Sequence, residues 1–342
     1  MWDRFLRACR GQAVDTTPVW FMRQAGRYMP EYRALRAKYR MLELCKTPEL
    51  AVQVTLQPVR AHAIDAAILF ADLLLPLEPM GAPFDFLAGE GPVIERPVRT
   101  ADDIAALRLI EPEEGLGYVL DAIRMLRREL DGKTPLIGFA GGPFTLASYL
   151  IEGGKSSHYV LTKRLMFSEP ELWHQLAGKL AEVVRRFFRA QIEAGAQAVQ
   201  LFDSWVGALG PEDFATYVEP HLAHILKDLE STGVPVIHFG TGTQSLLELQ
   251  QRAGGTVMGV DWRTPLAEAS RRLRPNTVLQ GNLDPVALFA PREILEQKLA
   301  NVVTQGRAAK GHIFNLGHGI LPETDPATVS WVADRVHVLG AR

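Results

Sequence analysis

From Thr17 onward the chain alternates short apolar runs with longer amphipathic ones, and this alternation restricts its fold more than any other feature. The runs that read as strands are Val19–Met22, Ala66–Phe70, Leu136–Phe139, Ala198–Phe202, Val234–Phe239, Thr256–Val260, Thr277–Gln280 and Ile313–Leu316. Helical patterns lie between them at Glu49–His62, Tyr118–Leu130, Glu171–Ala194, Pro211–Ser231, Gln244–Arg252, Leu266–Leu273 and Arg292–Gly306, and Ala327–Leu339 closes the chain. A strand that is apolar on both faces needs cover on both, so helices between such strands imply a parallel sheet. Eight units of this kind in 342 residues predict an α/β fold, a single (β/α)8 TIM barrel spanning 1–342. An open doubly wound sheet is the rival. The lack of a Gly-x-Gly-x-x-Gly turn after the first strand weakens its dinucleotide-binding form.

Two stretches depart from a plain barrel. Between Asp72 and Thr100, after the second strand, prolines and glycines are too dense for the expected connecting helix. This reads as a long irregular excursion with a hairpin, Pro83–Phe86 against Val93–Arg96, of the kind that often serves as a lid. Glu152-Gly-Gly-Lys-Ser-Ser reads as a flexible break on the mouth side, or as an ordinary helix connection.

In a barrel the chemistry sits where strands end. Arg23 follows the first run, Asp72 the second, and Asp203 with Ser204 the fourth. His238 ends the fifth run, Asp261 the sixth and Asn282 the seventh, and His318 follows the last. Each polar group needs a partner or solvent there. Capping or loop satisfaction is the simple reading for Asp261 and for Asp284, which precedes Pro285, and it is weaker for Asp72, which no regular helix follows. Arg23 and Arg27 flank Gly26 near Pro30, as either a surface loop paired to acids or a clamp for an anionic ligand.

Other chemistries find less support. Cys9 and Cys45 lie far from the strand ends, and His221 and His224 stand three apart on a helical pattern, so no metal-ligand set is visible. Ser204 lacks an adjacent histidine, and Gly154-Lys155-Ser156 lacks the rest of a phosphate-binding loop, with Tyr149 where a glycine belongs. The net charge of -2 gives no reason to expect nucleic acid or an anionic membrane as partner. Two cysteines, no apolar segment of signal-peptide length in Met1-Trp-Asp-Arg-Phe-Leu-Arg, and no long apolar run lead us to expect a cytoplasmic protein.

Two strings carry a resemblance. Trp20–Pro30, Trp-Phe-Met-Arg-Gln-Ala-Gly-Arg-Tyr-Met-Pro, resembles the N-terminal signature of the uroporphyrinogen decarboxylases. Gly138–Tyr149, Gly-Phe-Ala-Gly-Gly-Pro-Phe-Thr-Leu-Ala-Ser-Tyr, resembles that family's second signature, and the likeness runs from about Asp15 to the C-terminus. The resemblance implies a carboxy-lyase of haem biosynthesis. Its substrate is uroporphyrinogen III, whose four acetates become methyl groups as CO2 leaves, giving coproporphyrinogen III. No cofactor is implied, because a protonated pyrrole is itself an electron sink.

Position by position, the resemblance implies that Arg23 and Arg27 bind substrate carboxylates and that Asp72 accepts the pyrrole N–H groups. It implies that Tyr149 lies beside a reacting acetate and that Ser204 and His318 bind substrate, while Phe202 packs against the macrocycle or into the core. A homodimer with facing mouths is implied as well. The rivals are a cobalamin-linked methyltransferase of the same fold, disfavoured by the lack of any cysteine after Cys45, and a tetrapyrrole carrier without activity.

Overall fold

Side chains on successive strand residues point to opposite faces, and the apolar runs use both. A computed structural model describes residues 2–87 and 89–342. Its main strands are β1 (Ala67–Ile68), β4 (Leu136–Gly141), β5 (Ala198–Asp203), β6 (Val236–Gly240), β7 (Val257–Gly259), β8 (Val278–Gln280) and β9 (Gly311–Ile313), with a separate pair β2 (Phe84–Leu87) and β3 (Gly91–Ile94). The seven main strands form one parallel sheet in the order β1-β4-β5-β6-β7-β8-β9. That sheet is curled, with Ile68, Ile137, Ile237, Val257, Val278 and Ile313 in one inner apolar cluster and Leu136, Val199, Leu201 and Val236 in the outer one beneath the helices.

The inner cluster also holds Trp20, Met22 and, from the helix Arg4–Cys9, Phe5 and Leu6, which close the end where the strands begin. Inside, the Trp20 indole N–H donates to Gln280 Oε1 at 2.9 Å, and Gln280 Nε2 donates to Gln200 Oε1 at 2.9 Å. The outer cluster is dominated by the 25-residue helix Pro170–Ala194, which buries Trp173, Leu176, Leu180, Val184 and Phe188.

The first expected strand, Val19–Met22, is realised only as a parallel bridge between Val19 and Phe314. Around it Phe314 N donates to Pro18 O at 2.8 Å and Asp65 N donates to Val19 O at 2.7 Å. No ladder follows, because side chains take the next donors. Phe21 N donates to Gln24 Oε1 and Met22 N to Asn315 Oδ1, each at 3.0 Å. The expected strand Ile313–Leu316 is β9, ending at Ile313, with a further bridge between Leu283 and Leu316. The expected helix Pro211–Ser231 is two, Pro211–Tyr217 and Glu219–Glu230, broken just ahead of Pro220, which supplies no N–H to continue the first.

Short helices that the periodicity did not indicate occur at Arg4–Cys9, Pro30–Arg36, Met41–Lys46, Pro143–Glu152 and Val160–Ser168. The stretch after Asp72 holds a short helix, Leu77–Met80, and then the hairpin β2–β3. The hairpin pairs Phe84 with Ile94, so its strands are Phe84–Leu87 and Gly91–Ile94, set slightly tighter than expected. It docks on the other irregular stretch, with Ile94 N donating to Gly153 O and Val98 N to Leu150 O, both at 2.9 Å.

Candidate active site

Each strand ends at one rim, and the turn that begins at Arg23 covers part of it. Arg23 is a non-glycine residue with φ 60°, a sparsely populated conformation that costs on the order of 1–3 kcal/mol. Gln24 secures the turn by accepting from Phe21 N and donating to Ala66 O at 3.1 Å. The Arg23 stem lies against Gly319, where a Cβ would stand 2.3 Å from Arg23 Cδ. Solvent reaches the side chain, yet protein atoms crowd it from the sides, as in a recess. That desolvation lowers its pKa, the neighbouring Arg27 charge adds to the effect, and Tyr149 and Asp72 oppose it. Among the described residues no carboxylate is ion-paired with Arg23 or Arg27, so the reading of a loop paired to acids does not hold.

A relay holds the rest of this loop. Arg33 Nη1 donates to the carbonyls of Arg27 at 2.9 Å and Tyr28 at 2.8 Å. Ser330, on the helix Pro326–Gly340, donates to Ala61 O at 3.3 Å and lies 2.7 Å from His62 Nδ1. With that hydroxyl proton used, Nδ1–H donates to Ser330, which leaves Nε2 to accept from the Tyr28 hydroxyl at 2.8 Å.

Asp72 faces Arg23. One carboxylate oxygen accepts from Leu74 N at 2.9 Å, and the other has no donor among the described residues. Burial pushes this carboxyl up to about 6, with the Leu74 amide and Arg23 pulling the other way. Tyr149 lies on the helix Pro143–Glu152, its ring 4.1 Å from that of Trp205 at an interplanar angle of 31°. Burial raises its hydroxyl pKa and Asp72 adds to the rise, while Arg23 opposes it. Burial holds His318 down at about 4, with Arg23 and Arg263 also repelling its proton and Asp261 opposing, so the ring is neutral near pH 7. Arg23, Arg27, Asp72, Tyr149 and His318 are thus one electrostatic cluster.

Ser204 adjoins it through Trp205, whose ring meets that of Tyr149, whereas Phe202 packs among other strand aromatics. Phe202 is half-buried, edge-on to Phe139 at 5.6 Å and to Phe239 at 5.9 Å. The Ser204 carbonyl accepts from the Thr241 hydroxyl, which fixes the turn that presents Trp205.

Other strand-end polar residues do different work. His238 is not at the mouth. Ile237 and Phe239 point inward, so His238 points outward, its Nδ1 3.2 Å from the carbonyls of Gln250 and Gly254. Asp261 accepts from Arg263 N at 3.0 Å and pairs with the Arg263 guanidinium at 2.6 Å, and Asp284 accepts from Val286 N at 2.9 Å, as their turn chemistry suggested. Asn282 donates to the carbonyls of Asp261 and Thr264. His221 meets His174 at 2.9 Å and His224 meets Glu182 at 3.0 Å, as helix-surface residues. Asp203, Thr145, Trp205 and His62 carry weight around the site that sequence reasoning did not assign. Only the nearness of Asp203 and Trp205 to Ser204 was a signal.

Residues 2–339 match the family model described as uroporphyrinogen decarboxylase (URO-D). The chain is 66% identical over 337 residues to a uroporphyrinogen decarboxylase of Sorangium cellulosum, covering 98% of this chain and 96% of that one. It is 58% identical over 339 residues to the uroporphyrinogen decarboxylase of Carboxydothermus hydrogenoformans, covering 99% of this chain and 97% of the relative. Among solved structures, a methyltransferase from Methanosarcina mazei superposes with a TM-score of 0.76 at 20% identity, covering 97% of each chain, a likeness of fold alone.

Proposed function

The chain belongs to the uroporphyrinogen decarboxylase family, and on that footing we propose how its mouth residues act. It is a carboxy-lyase of tetrapyrrole biosynthesis that converts the acetates of uroporphyrinogen III to methyl groups, giving coproporphyrinogen III and CO2. In each round a pyrrole carbon gains a proton and the ring becomes cationic. The bond between the acetate methylene and its carboxylate breaks, its electron pair enters the ring, and CO2 departs. The exocyclic carbon then takes a proton and the ring gives one up, so one proton replaces each CO2.

Asp72 accepts the pyrrole N–H groups and faces the positive charge that forms in the ring. A preorganised opposite charge stabilises that state more than the ground state. Arg23 and Arg27 hold side-chain carboxylates, and Tyr149 stands beside the reacting acetate. Ser204 and His318 bind substrate, and Phe202 packs against the macrocycle. The observation that carries this reading is the part-buried Asp72 carboxylate, with one oxygen free of donors among the described residues and Arg23 and Tyr149 in its field.

The finer architecture belongs to the same proposal. Val19, bonded towards both Phe314 and Asp65, serves as an eighth stave beside the seven strands and makes 1–342 one barrel domain, with the stretch after Asp72 as its excursion. The active form is a homodimer with facing mouths, testable by analytical ultracentrifugation. It works in the cytoplasm, in keeping with a chain in which no described helix is long and apolar enough to cross a membrane. Anaerobic incubation with chemically reduced uroporphyrin, followed by analysis of the carboxylate ladder, tests the reaction. The four-carboxylate product is expected, and its absence with a folded enzyme overturns the reading.

A further inference from the structure

Asp203 takes no part in the chemistry above, yet its side chain is fully buried beside the site. Its Oδ1 accepts from the Thr145 amide at 3.0 Å and from the Thr145 hydroxyl at 2.6 Å. That hydroxyl, its proton given to Asp203, accepts from the Trp205 amide at 3.2 Å. Gly142 lies hard against the carboxyl group, where a Cβ would stand 2.5 Å from Asp203 Cγ. Asp203 Oδ2 has no hydrogen-bond partner among the described residues.

Thr145 is the third residue of the helix Pro143–Glu152, so its amide is one of the donors the helix leaves unpaired, and Gly142 has no side chain to cap it. The carboxylate of β5 supplies that cap from outside. Tyr149 lies one helical turn after Thr145 on the same side, and Trp205 lies two residues after Asp203. The two rings that meet at 4.1 Å are therefore anchored to the same carboxyl group, one through the helix start and one through a backbone amide. A neutral cap would satisfy the helix without leaving a buried oxygen unpaired.

We propose that Asp203, acting through Thr145, is a positioning residue that fixes the Tyr149–Trp205 ring pair against the reacting acetate. This rests on the reading that Tyr149 belongs to the active site. Thr145→Val keeps the side-chain outline and removes the hydroxyl, and Thr145→Ser restores the hydroxyl. The readouts are kcat, KM and the near-UV circular dichroism band that Trp205→Phe removes. For Thr145→Val we expect kcat to fall about 10- to 100-fold with KM within about twofold, since misplacing a catalytic group affects the chemical step. The band should be lost as well, and Thr145→Ser should regain both. Wild-type kcat in a folded Thr145→Val variant, or an equal loss in Thr145→Ser, overturns the proposal. Should Thr145→Val be insoluble, Thr145→Ala, which likewise lacks the hydroxyl, is read in the same way, and wild-type kcat there overturns it too. Tyr149→Phe, run alongside, separates the two levels. Full activity in Tyr149→Phe removes the site reading and this inference with it, whereas an impaired Tyr149→Phe beside a normal Thr145→Val removes this inference alone.

Discussion

At Asp72 the charge can be removed while the side chain keeps its outline. Asp72→Asn is expected to lose about 10²–10³ in kcat, as for other lost electrostatic stabilisers. It should not lose stability. The folded carboxyl titrates near 6 against an ordinary value of 3.8, so its ionised form is disfavoured by folding. The contribution of Asp72 to stability is full below about 4 and is lost as pH rises towards 6. At pH 7 the asparagine variant should therefore melt at or above the wild-type midpoint. A simple cap would instead predict a loss of about 1 kcal/mol with normal turnover. The same titration should make wild-type kcat/KM fall as pH drops through about 6, with His318 neutral throughout that range. At the mouth, Arg27→Ala should lower kcat/KM by roughly ten- to a hundred-fold without unfolding, the value of a charge-assisted bond. Arg27→Lys should recover only part of it, since lysine lacks the planar fork. Arg23, Arg27, Asp72 and Tyr149 were legible because each sits beside an apolar run or inside a recognisable string. Asp203 with Thr145, 58 residues apart, and Tyr28 with His62, 34 apart, were not, because nothing local in the sequence announces such pairings.

Among the elements, the alternation located the strands of the main sheet, because burial on both faces leaves a run of apolar residues, although β9 shares only Ile313 with its expected run. It misjudged the ends where side chains replace backbone partners, as Gln24 and Asn315 do after Val19. It also missed short helices such as Pro143–Glu152, which is apolar nearly all round and shows no stripe. The two irregular stretches were legible from proline and glycine, but their contact with each other was not. Gly153 is where they meet. It ends its helix at φ 85°, and a Cβ would stand 3.0 Å from Pro97 Cγ. Gly153→Ala should lower the thermal midpoint by roughly 1–3 °C through left-handed strain. It should also quicken hydrogen exchange at the Ile94 amide, which donates to the Gly153 carbonyl. An unchanged exchange rate would mean that the hairpin does not depend on this contact.

The whole chain carries a net charge of -2, yet its mouth holds two guanidinium groups that are ion-paired with no carboxylate among the described residues, and the proposed substrate is rich in carboxylates. The attraction is therefore local and exposed to salt. Raising ionic strength from about 0.01 M to about 0.15 M shortens the screening length from roughly 30 to 8 Å, so kcat/KM should decline over that range while the melting midpoint holds. A flat response would place recognition in contacts other than charge. The composition hid this polarity, because acids elsewhere on the surface cancel it in the sum. Below the mouth, Trp20, Gln280 and Gln200 join across the interior, and Phe5 and Leu6 seal the far end. Among the described residues these side chains fill the interior beneath the proposed site. On that reading substrate enters, and CO2 leaves, at the mouth. The proposed site has one Asp72 and one Tyr149 for a ring that brings four acetates. On that proposed site the macrocycle must be presented in a new orientation before each further decarboxylation, by turning in place or by leaving and rebinding.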